Sequence, residues 1–204
     1  MKRKRKKSKK EEGLSFGDQY IKSWEYILDS FKFIKIVIIL FFVFALIGFL
    51  FPVPEVFAEK IFEFIKQIFE KTRDMSQFEL IRFIFLNNLQ VSLFSLVFGI
   101  FLGVFPILLT MMNGYLLGFV AFLSVNEGGL LVLWRIFPHG IFELPAIFIS
   151  LGLGLRLGIL IFKNKKPRPY KEYIFDSLRV FVFIVIPLLF FGAIIEGILI
   201  SLSR

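Results

Sequence analysis

Long apolar stretches alternate with short charged segments along this chain. The uncharged stretches are long enough to cross the hydrocarbon layer of a bilayer, which is about 30 Å thick, at about 1.5 Å per helical residue. We therefore predict an all-α, polytopic membrane domain over residues 14–204. The expected transmembrane spans lie at about residues 34–52, 89–111, 115–137, 138–162 and 178–202.

Two further segments combine apolar residues at helical spacing with charged residues on the remaining faces. Residues 55–75 show this pattern between the first two spans, which predicts an amphipathic helix outside the membrane. Residues 19–32 show it before the first span, which predicts an interfacial helix on the cytoplasmic surface. Ser76 to Glu79 reads SQFE, a capping box that predicts the start of the next helix.

The uncharged stretch 83–126 must reverse direction once, because a single helix of that length would measure about 66 Å. Asn113-Gly114 is a dipeptide suited to positive φ, so we expect the turn there. Residues 126–129 read NEGG and interrupt the third span. They indicate either a broken span followed by a short half-helix, or an extracytoplasmic loop followed by an interfacial segment.

Composition supports a membrane protein and excludes several chemistries. The chain is 57% hydrophobic and has 30 phenylalanines, more than a soluble domain of 204 residues could hide from water. It has no cysteine, which excludes disulfides and thiolate catalysis, and it has one histidine, which argues against a zinc site. We therefore predict no metal site and no other cofactor.

Positive charge is concentrated in two places. Residues 1–10 hold eight Lys or Arg and residues 163–171 hold five, within a net charge of +9. Such runs can bind nucleic acid, but beside membrane spans they are typical of cytoplasmic flanks that contact anionic lipid headgroups. We predict a disordered tail over residues 1–13, the lipid bilayer rather than nucleic acid as partner, a cytoplasmic N-terminus and an extracytoplasmic C-terminus.

With this topology, several polar side chains fall in the extracytoplasmic leaflet. They are Asn87, Asn88, Glu127, His139, Glu143 and Glu196. A lone charge there costs about 2.5–3.5 kcal/mol, so these groups should find partners, as His139 and Glu143 can at i, i+4 spacing. The cluster is either a polar pocket or pathway that opens outward, or a hydrogen-bonded group that fixes the helix packing.

Two polar positions belong to the inner half of the membrane. Arg156 should extend toward the cytoplasmic surface or contact carbonyl groups at the Asn113 turn.

Three pairs of glycines four residues apart allow close helix–helix approach, within the chain or between protomers of a homo-oligomer. They are Gly99/Gly103, Gly114/Gly118 and Gly154/Gly158.

Four segments in this order resemble the stage II sporulation protein M family of integral membrane proteins. They read FLNNLQVSLFSLVFGIFLGV, NGYLLGF, FPHGIFELPAIFISLGLGLRLG and GAIIEG. The resemblance covers about residues 20–200 and implies a five-span helical domain. It also implies that sporulating members act with two extracytoplasmic partners that degrade septal peptidoglycan.

Two functions follow as expectations for this multi-pass protein of the cell membrane. The first is a scaffold or assembly protein that recruits protein partners through the amphipathic helices. The alternative is a small-solute or ion transporter or channel that uses the polar cluster. An enzyme is not expected, because no nucleophile pair accompanies His139 and Glu143.

Overall fold

The computed structural model describes residues 15–51, 55–99, 103–130, 137–163 and 167–202. Within these residues, the side chains of 55–58, 64, 65, 69 and 137–140 are not described. The predicted disordered tail, 1–13, lies outside the described residues.

The described chain is helical and builds seven α-helices. In chain order, α1 is Phe16–Leu50, α2 is Glu55–Arg73, α3 is Gln77–Gly99, α4 is Val104–Gly128, α5 is Phe137–Ile161, α6 is Tyr170–Val180 and α7 is Ile186–Leu202, with a π-helical turn, Phe181–Val185, joining α6 to α7. Five of the resulting helical rods are long and apolar enough to cross a membrane, with α2 as the additional amphipathic helix. The predicted fold class is confirmed.

The helix that contains the first span begins much earlier than the predicted span. α1 runs for 35 residues without interruption, which is about 52 Å, and so contains both the predicted span 34–52 and the segment 19–32. The prediction that residues 19–32 form a helix separate from the first span was therefore wrong. No proline or glycine breaks the chain between the two parts. Ser15 starts α1, and its backbone N–H donates to the Asp18 carboxylate at 3.1 Å.

The turn between the second and third spans is not at Asn113-Gly114. Both residues lie inside α4, where Asn113 donates its side-chain N–H to the Leu109 carbonyl at 2.9 Å. The chain reverses just before α4, and Gly103 there has the left-handed φ of 69°. The second and third spans are thus α3 and α4, and not 89–111 and 115–137.

The NEGG segment ends α4. α4 continues through Glu127 to Gly128, and Gly129 closes it with φ 76° while its N–H bonds the Val125 carbonyl at 2.8 Å. The considered half-helix would fall on residues 131–136, outside the described part of the chain. α5 agrees closely with the predicted span 138–162, whereas the helical rod that contains the last span starts at Tyr170, before the predicted residue 178.

The helix α5 is the centre of the bundle. Of its most apolar 18-residue window, 67% is buried, against 22–39% for the other four spans. It packs against α1, α3, α4 and α7, with eight apolar side chains of the main core: Ala146, Ile147, Phe148, Leu151, Leu153, Leu155, Leu157 and Leu160.

The contacts also define the two ends of the bundle. Tyr170 donates to the carbonyl of Leu157, so the start of α6 lies beside the last turns of α5. Tyr26 of α1 contacts Tyr173, which brings the first half of α1 to the same place. We call this the basic end, because the described basic residues of segment 163–171 lie there: Lys163, Arg168 and Lys171. The end of α4 lies at the opposite end, because α4 runs parallel to α1, and α2 belongs there because it joins the end of α1 to the start of α3.

At the basic end, α1 and α6 cross. Tyr26 contacts Tyr173, whereas Phe16 contacts Phe183 with ring centroids 5.2 Å apart. The start of α1 therefore lies beside the residues that follow α6, and a later part of α1 lies beside the start of α6. The two helices are antiparallel where they touch.

Glycines let the helices approach closely within one chain. Gly99 faces Gly154 across the α3–α5 contact, and Gly103 faces Gly158 one turn further. In α4, Gly114 lies against the backbone of Phe41 in α1. The predicted close approach at the glycine pairs is therefore intramolecular.

The helices α3 and α5 carry a repeated sequence and pair in register. Residues 94–103 read FSLVFGIFLG and residues 149–158 read ISLGLGLRLG, with Ser, Leu, Gly, Leu and Gly shared at five positions. Equivalent residues meet in space, as the Gly99–Gly154 contact shows. The two helices are thus parallel and related by a local pseudo-two-fold arrangement.

We expect Gly154→Ala to destabilise the bundle by about 1–3 kcal/mol, because overpacking forces a shift of the backbone. A Cβ at Gly154 would collide with the backbone oxygen of Ser95. The free energy of unfolding in mixed micelles measures the effect. Gly17→Ala is the matched control, since nothing lies within 4 Å of a Cβ there. Equal stability of the two variants would contradict the close packing.

Candidate functional site

A buried hydrogen bond joins α3 to α5 in the middle of the bundle. Asn88 donates its side-chain N–H to Oε2 of Glu143 at 2.5 Å. Asn88 is 6% exposed and Glu143 is fully buried. The two side chains were predicted to belong to one polar cluster, and the structure brings them together.

The sequence of each helix explains why these groups face each other. Along α3, Asn88, Ser92 and Ser95 recur at helical spacing, and all three are buried against α5. Along α5, Glu143 and Ser150 recur in the same way and are also fully buried. The interface between α3 and α5 is therefore a polar seam with apolar residues on both sides.

A third helix closes over the carboxyl group. Gly192 of α7 lies so close that a Cβ there would be 2.8 Å from Cγ of Glu143. Only a glycine fits at this position without moving the Glu143 side chain. Glu196 lies one turn further along the same face of α7 and is half-buried. Glu143 thus sits where α3, α5 and α7 meet.

The other predicted members of the cluster lie in different surroundings. Asn87 is exposed, because it points away from α5 one residue before the buried Asn88. Glu127 is exposed in the last turn of α4. His139 is in the first turn of α5, but its side chain is not among those described.

Arg156 has different partners from those expected. It donates to the Ser30 hydroxyl at 2.5 Å, and its guanidinium lies 4.4 Å from the ring centroid of Tyr26. The expected contact with carbonyls near Asn113 was wrong, because Asn113 is inside α4 and no turn exposes carbonyl groups there. Arg156 therefore ties α5 to α1 at the basic end.

A network of charged and aromatic groups surrounds this contact. Arg168 bonds the Asp176 carboxylate at 2.8 Å and stacks on Tyr173, 4.6 Å from its ring centroid. Arg179 bonds the same carboxylate at 2.6 Å. Burial lowers the pKa of the Arg168 guanidinium, but hydrogen bonds to Tyr173 and Asp176 raise it by more. The guanidinium is held in its charged form.

Sequence reasoning missed this network, although a signal was present. Residues 25–30 read EYILDS and residues 172–177 read EYIFDS. The two copies meet at the crossing of α1 and α6, where the Tyr26 hydroxyl donates to the Tyr173 carbonyl at 3.2 Å and Ser177 donates to the Tyr26 hydroxyl at 3.3 Å. A search for internal repeats would have indicated that these segments belong together.

Five apolar helical rods, four of them packed around the central α5, with buried polar contacts between them, define a polytopic helical membrane protein. Residues 37–199, most of the chain, match the family Stage II sporulation protein M. The chain belongs to this family.

A curated relative is similar to part of the chain and adds no function. The chain is 29% identical over 102 residues to "Uncharacterized protein MJ0706" of Methanocaldococcus jannaschii, covering 47% of this chain and 46% of the relative. The chain thus spans about half the length of that relative. No solved structure matches the chain.

We expect Asn88→Ala to destabilise the protein by about 1–3 kcal/mol, because it removes a donor from a buried carboxyl group. Asn87→Ala is the control. That side chain is exposed, so its removal should change the free energy of unfolding by no more than about 0.5 kcal/mol. Denaturant-induced unfolding in detergent micelles gives both values. If Asn87→Ala lost as much stability as Asn88→Ala, the hydrogen bond between Asn88 and Glu143 would make no specific contribution to stability.

Proposed function

We propose that this protein is an assembly protein of the cell membrane that recruits protein partners through α2. Its five spans anchor the chain, and α2 presents a binding surface beside them. The observation that carries the proposal is the exposure of two large apolar side chains among the described ones of α2, Phe62 at 54% and Ile68 at 39%. Apolar side chains on a surface helix gain stability when a partner or a membrane covers them.

The charged residues of α2 fit a helix at a polar boundary. Lys66 and Glu70 form an exposed i, i+4 ion pair, which is compatible with water on that side of the helix. A short connection follows α2 before the capping box at Ser76 and Glu79 starts α3, with Ser76 donating its backbone N–H to the carboxylate at 2.9 Å. This capping box was predicted and is confirmed.

The charge distribution supports a cytoplasmic N-terminus and an extracytoplasmic α2. Lys163, Arg168 and Lys171 are at the basic end, together with the start of α1, and in the sequence the basic residues 1–10 precede α1. The positive-inside rule assigns such an end to the cytoplasm. α2 and the C-terminal turns of α7 then face the other side of the membrane, where family members in sporulating bacteria would meet septal peptidoglycan-degrading partners.

The buried polar pair also fits an anchoring role. The bond between Asn88 and Glu143 joins two spans, and Gly192 brings a third against it. A polar contact of this kind fixes the packing of helices in lipid, where apolar contacts alone select poorly among arrangements. The proposal therefore assigns Glu143 to the assembly of the bundle and not to catalysis.

Substitution of the exposed apolar residues tests the proposal. We expect the variant Phe62→Ser/Ile68→Ser to lose several-fold in co-purification of its membrane partners, because the binding surface loses its apolar contacts. Cross-linked complexes from the native membrane, quantified by mass spectrometry, provide the measurement. The chain has no cysteine, so Glu70→Cys should also react with a membrane-impermeant maleimide in intact cells.

The control variant is Lys66→Ala/Glu70→Ala, which removes the exposed ion pair and keeps both apolar residues. It should retain its partners. Glu172→Cys, at the basic end, should react only after permeabilisation. Unchanged co-purification in Phe62→Ser/Ile68→Ser would remove α2 as the recruiting surface, and labelling of Glu172→Cys in intact cells would reverse the proposed orientation.

The second candidate function is transport of a small solute or ion. The fully buried Glu143 supports it, together with the buried hydroxyl groups of Ser92 and Ser150 on the same helix interface. Ionisable groups between membrane spans often belong to ion or proton paths. The π-helical turn at Phe181–Val185 adds a feature that is frequent at functional sites.

Flux measurements in proteoliposomes test this second function. Glu143→Gln and Glu196→Gln should each slow transport at least about tenfold if the carboxyl groups line the path, since each substitution removes an ionisable group. Glu127→Gln is the control, because that side chain is exposed at the end of α4. Flux that is indifferent to the first two substitutions excludes transport through this seam.

A further inference from the structure

A charged cleft of about 310 Å³ opens at the basic end between α1 and α6. One wall is formed by Lys22, Glu25 and Asp29, which lie on one face of α1. The buried side chain of Tyr26 also lines the cleft. Its volume is in the range of small-molecule sites, at the lower end.

The other wall belongs to α6 and the segment that precedes it. Arg168, Asp176 and Arg179 form this wall, and the two guanidinium groups share the single Asp176 carboxylate. The side chain of Asp176 is only 14% exposed, so the bonds hold it in place. This wall is therefore preorganised before any ligand arrives.

The two walls carry opposite net charge. On the α1 wall, two carboxylates stand beside one ammonium group, so its net charge is −1. On the α6 wall, two guanidinium groups stand beside one carboxylate, so its net charge is +1. Among the described residues, the ion pairs at this cleft stay within the α6 wall and none crosses to α1. The cleft complements a molecule with a cationic and an anionic end.

The sequence repeat indicates where the cationic end binds. Asp29 and Asp176 are equivalent residues of EYILDS and EYIFDS. In the second copy, Asp176 accepts hydrogen bonds from guanidinium groups, and Arg168 stacks on Tyr173 beside it. In the first copy, Asp29 is exposed to the cleft beside Tyr26. The ring of Tyr26 already has the Arg156 guanidinium over it at 4.4 Å, so in this copy the exposed Asp29 carboxylate is the group open to a cation from outside the chain.

We propose that this cleft binds a small zwitterion, with its primary ammonium group at Glu25 and Asp29 and its phosphate or carboxylate group at Arg168 and Arg179. Both ends form charge-assisted hydrogen bonds, which are the strong ones in proteins. The headgroup of an aminophospholipid and a free zwitterion share this chemistry. Exposed apolar residues on the same two helices, among them Trp24 and Leu28 of α1, bring the lipid surface close to the cleft.

Lipid and solute binding to the full-length protein tests the site. Native mass spectrometry in micelles should show phosphatidylethanolamine retained at least about tenfold more than phosphatidylcholine or phosphatidylglycerol. The choline headgroup has no N–H to donate, and the glycerol headgroup has no cation. Soluble phosphoethanolamine should raise the unfolding temperature, whereas ethanolamine alone and glycerol phosphate alone should not.

The variant Glu25→Gln/Asp29→Asn should weaken binding of phosphatidylethanolamine about tenfold or more, because the ammonium group loses two charged acceptors. Both side chains are exposed, so the bundle should fold normally. Glu172→Gln is the matched control. Glu172 is the equivalent of Glu25 in the second motif, and it does not line the cleft.

The outcomes separate clearly. Selective retention of phosphatidylethanolamine that is lost in Glu25→Gln/Asp29→Asn and kept in Glu172→Gln supports the site and assigns it to a lipid headgroup. The same variant pattern with soluble phosphoethanolamine alone supports the site and assigns it to a free zwitterion. Equal retention of the three lipids without stabilisation by phosphoethanolamine overturns the proposal. Equal binding by Glu25→Gln/Asp29→Asn and the unsubstituted protein overturns it as well.

Discussion

A carboxyl group removed from water needs hydrogen-bond donors, and this requirement organises the centre of the protein. Glu143 is fully buried, and the amide of Asn88 meets it from α3. Gly192 leaves the room that the Glu143 side chain occupies against α7. One side chain thus fixes the depth of three helices relative to each other. The apolar contacts around it could be satisfied by many small sliding displacements, but this contact could not.

Sequence repetition gives the bundle its second organising feature. The copies of EYI-x-D-S meet at the crossing of α1 and α6, and the copies of the serine–leucine–glycine pattern meet along α3 and α5. Equivalent residues therefore contact each other at both places, as expected for a pseudo-two-fold relationship. α1 is paired with α6, and α3 is paired with α5. The second half of the chain therefore contains the related helices in the reverse order of the first half. α4 fills the space beside α1, where Gly114 and Gly118 permit close packing.

The number of spans, the capping box at Ser76 and the amphipathic α2 could be predicted from the sequence, because each depends on local pattern and length. The position of the α3–α4 turn could not. Both Gly114 and Gly103 are candidates for a turn from the sequence. In the structure, Gly114 lets α4 approach α1 closely, whereas Gly103 adopts the positive φ of the turn. Tertiary packing decides between these two uses of glycine. The pairing of Asn88 with Glu143 followed from the cost of isolated charge in lipid, whereas the partners of Arg156 depended on the crossing of α1 and α6.

The uninterrupted length of α1 has a mechanical consequence. A helix of 35 residues without a hinge behaves as a stiff rod, touching Phe183 near its first turn and the backbone of Tyr115 near its last. A force applied where the rod emerges beside α6 is therefore transmitted along its whole length to α4. A displacement of either end of α1 would thus move the contacts at its other end, without any change in the fold.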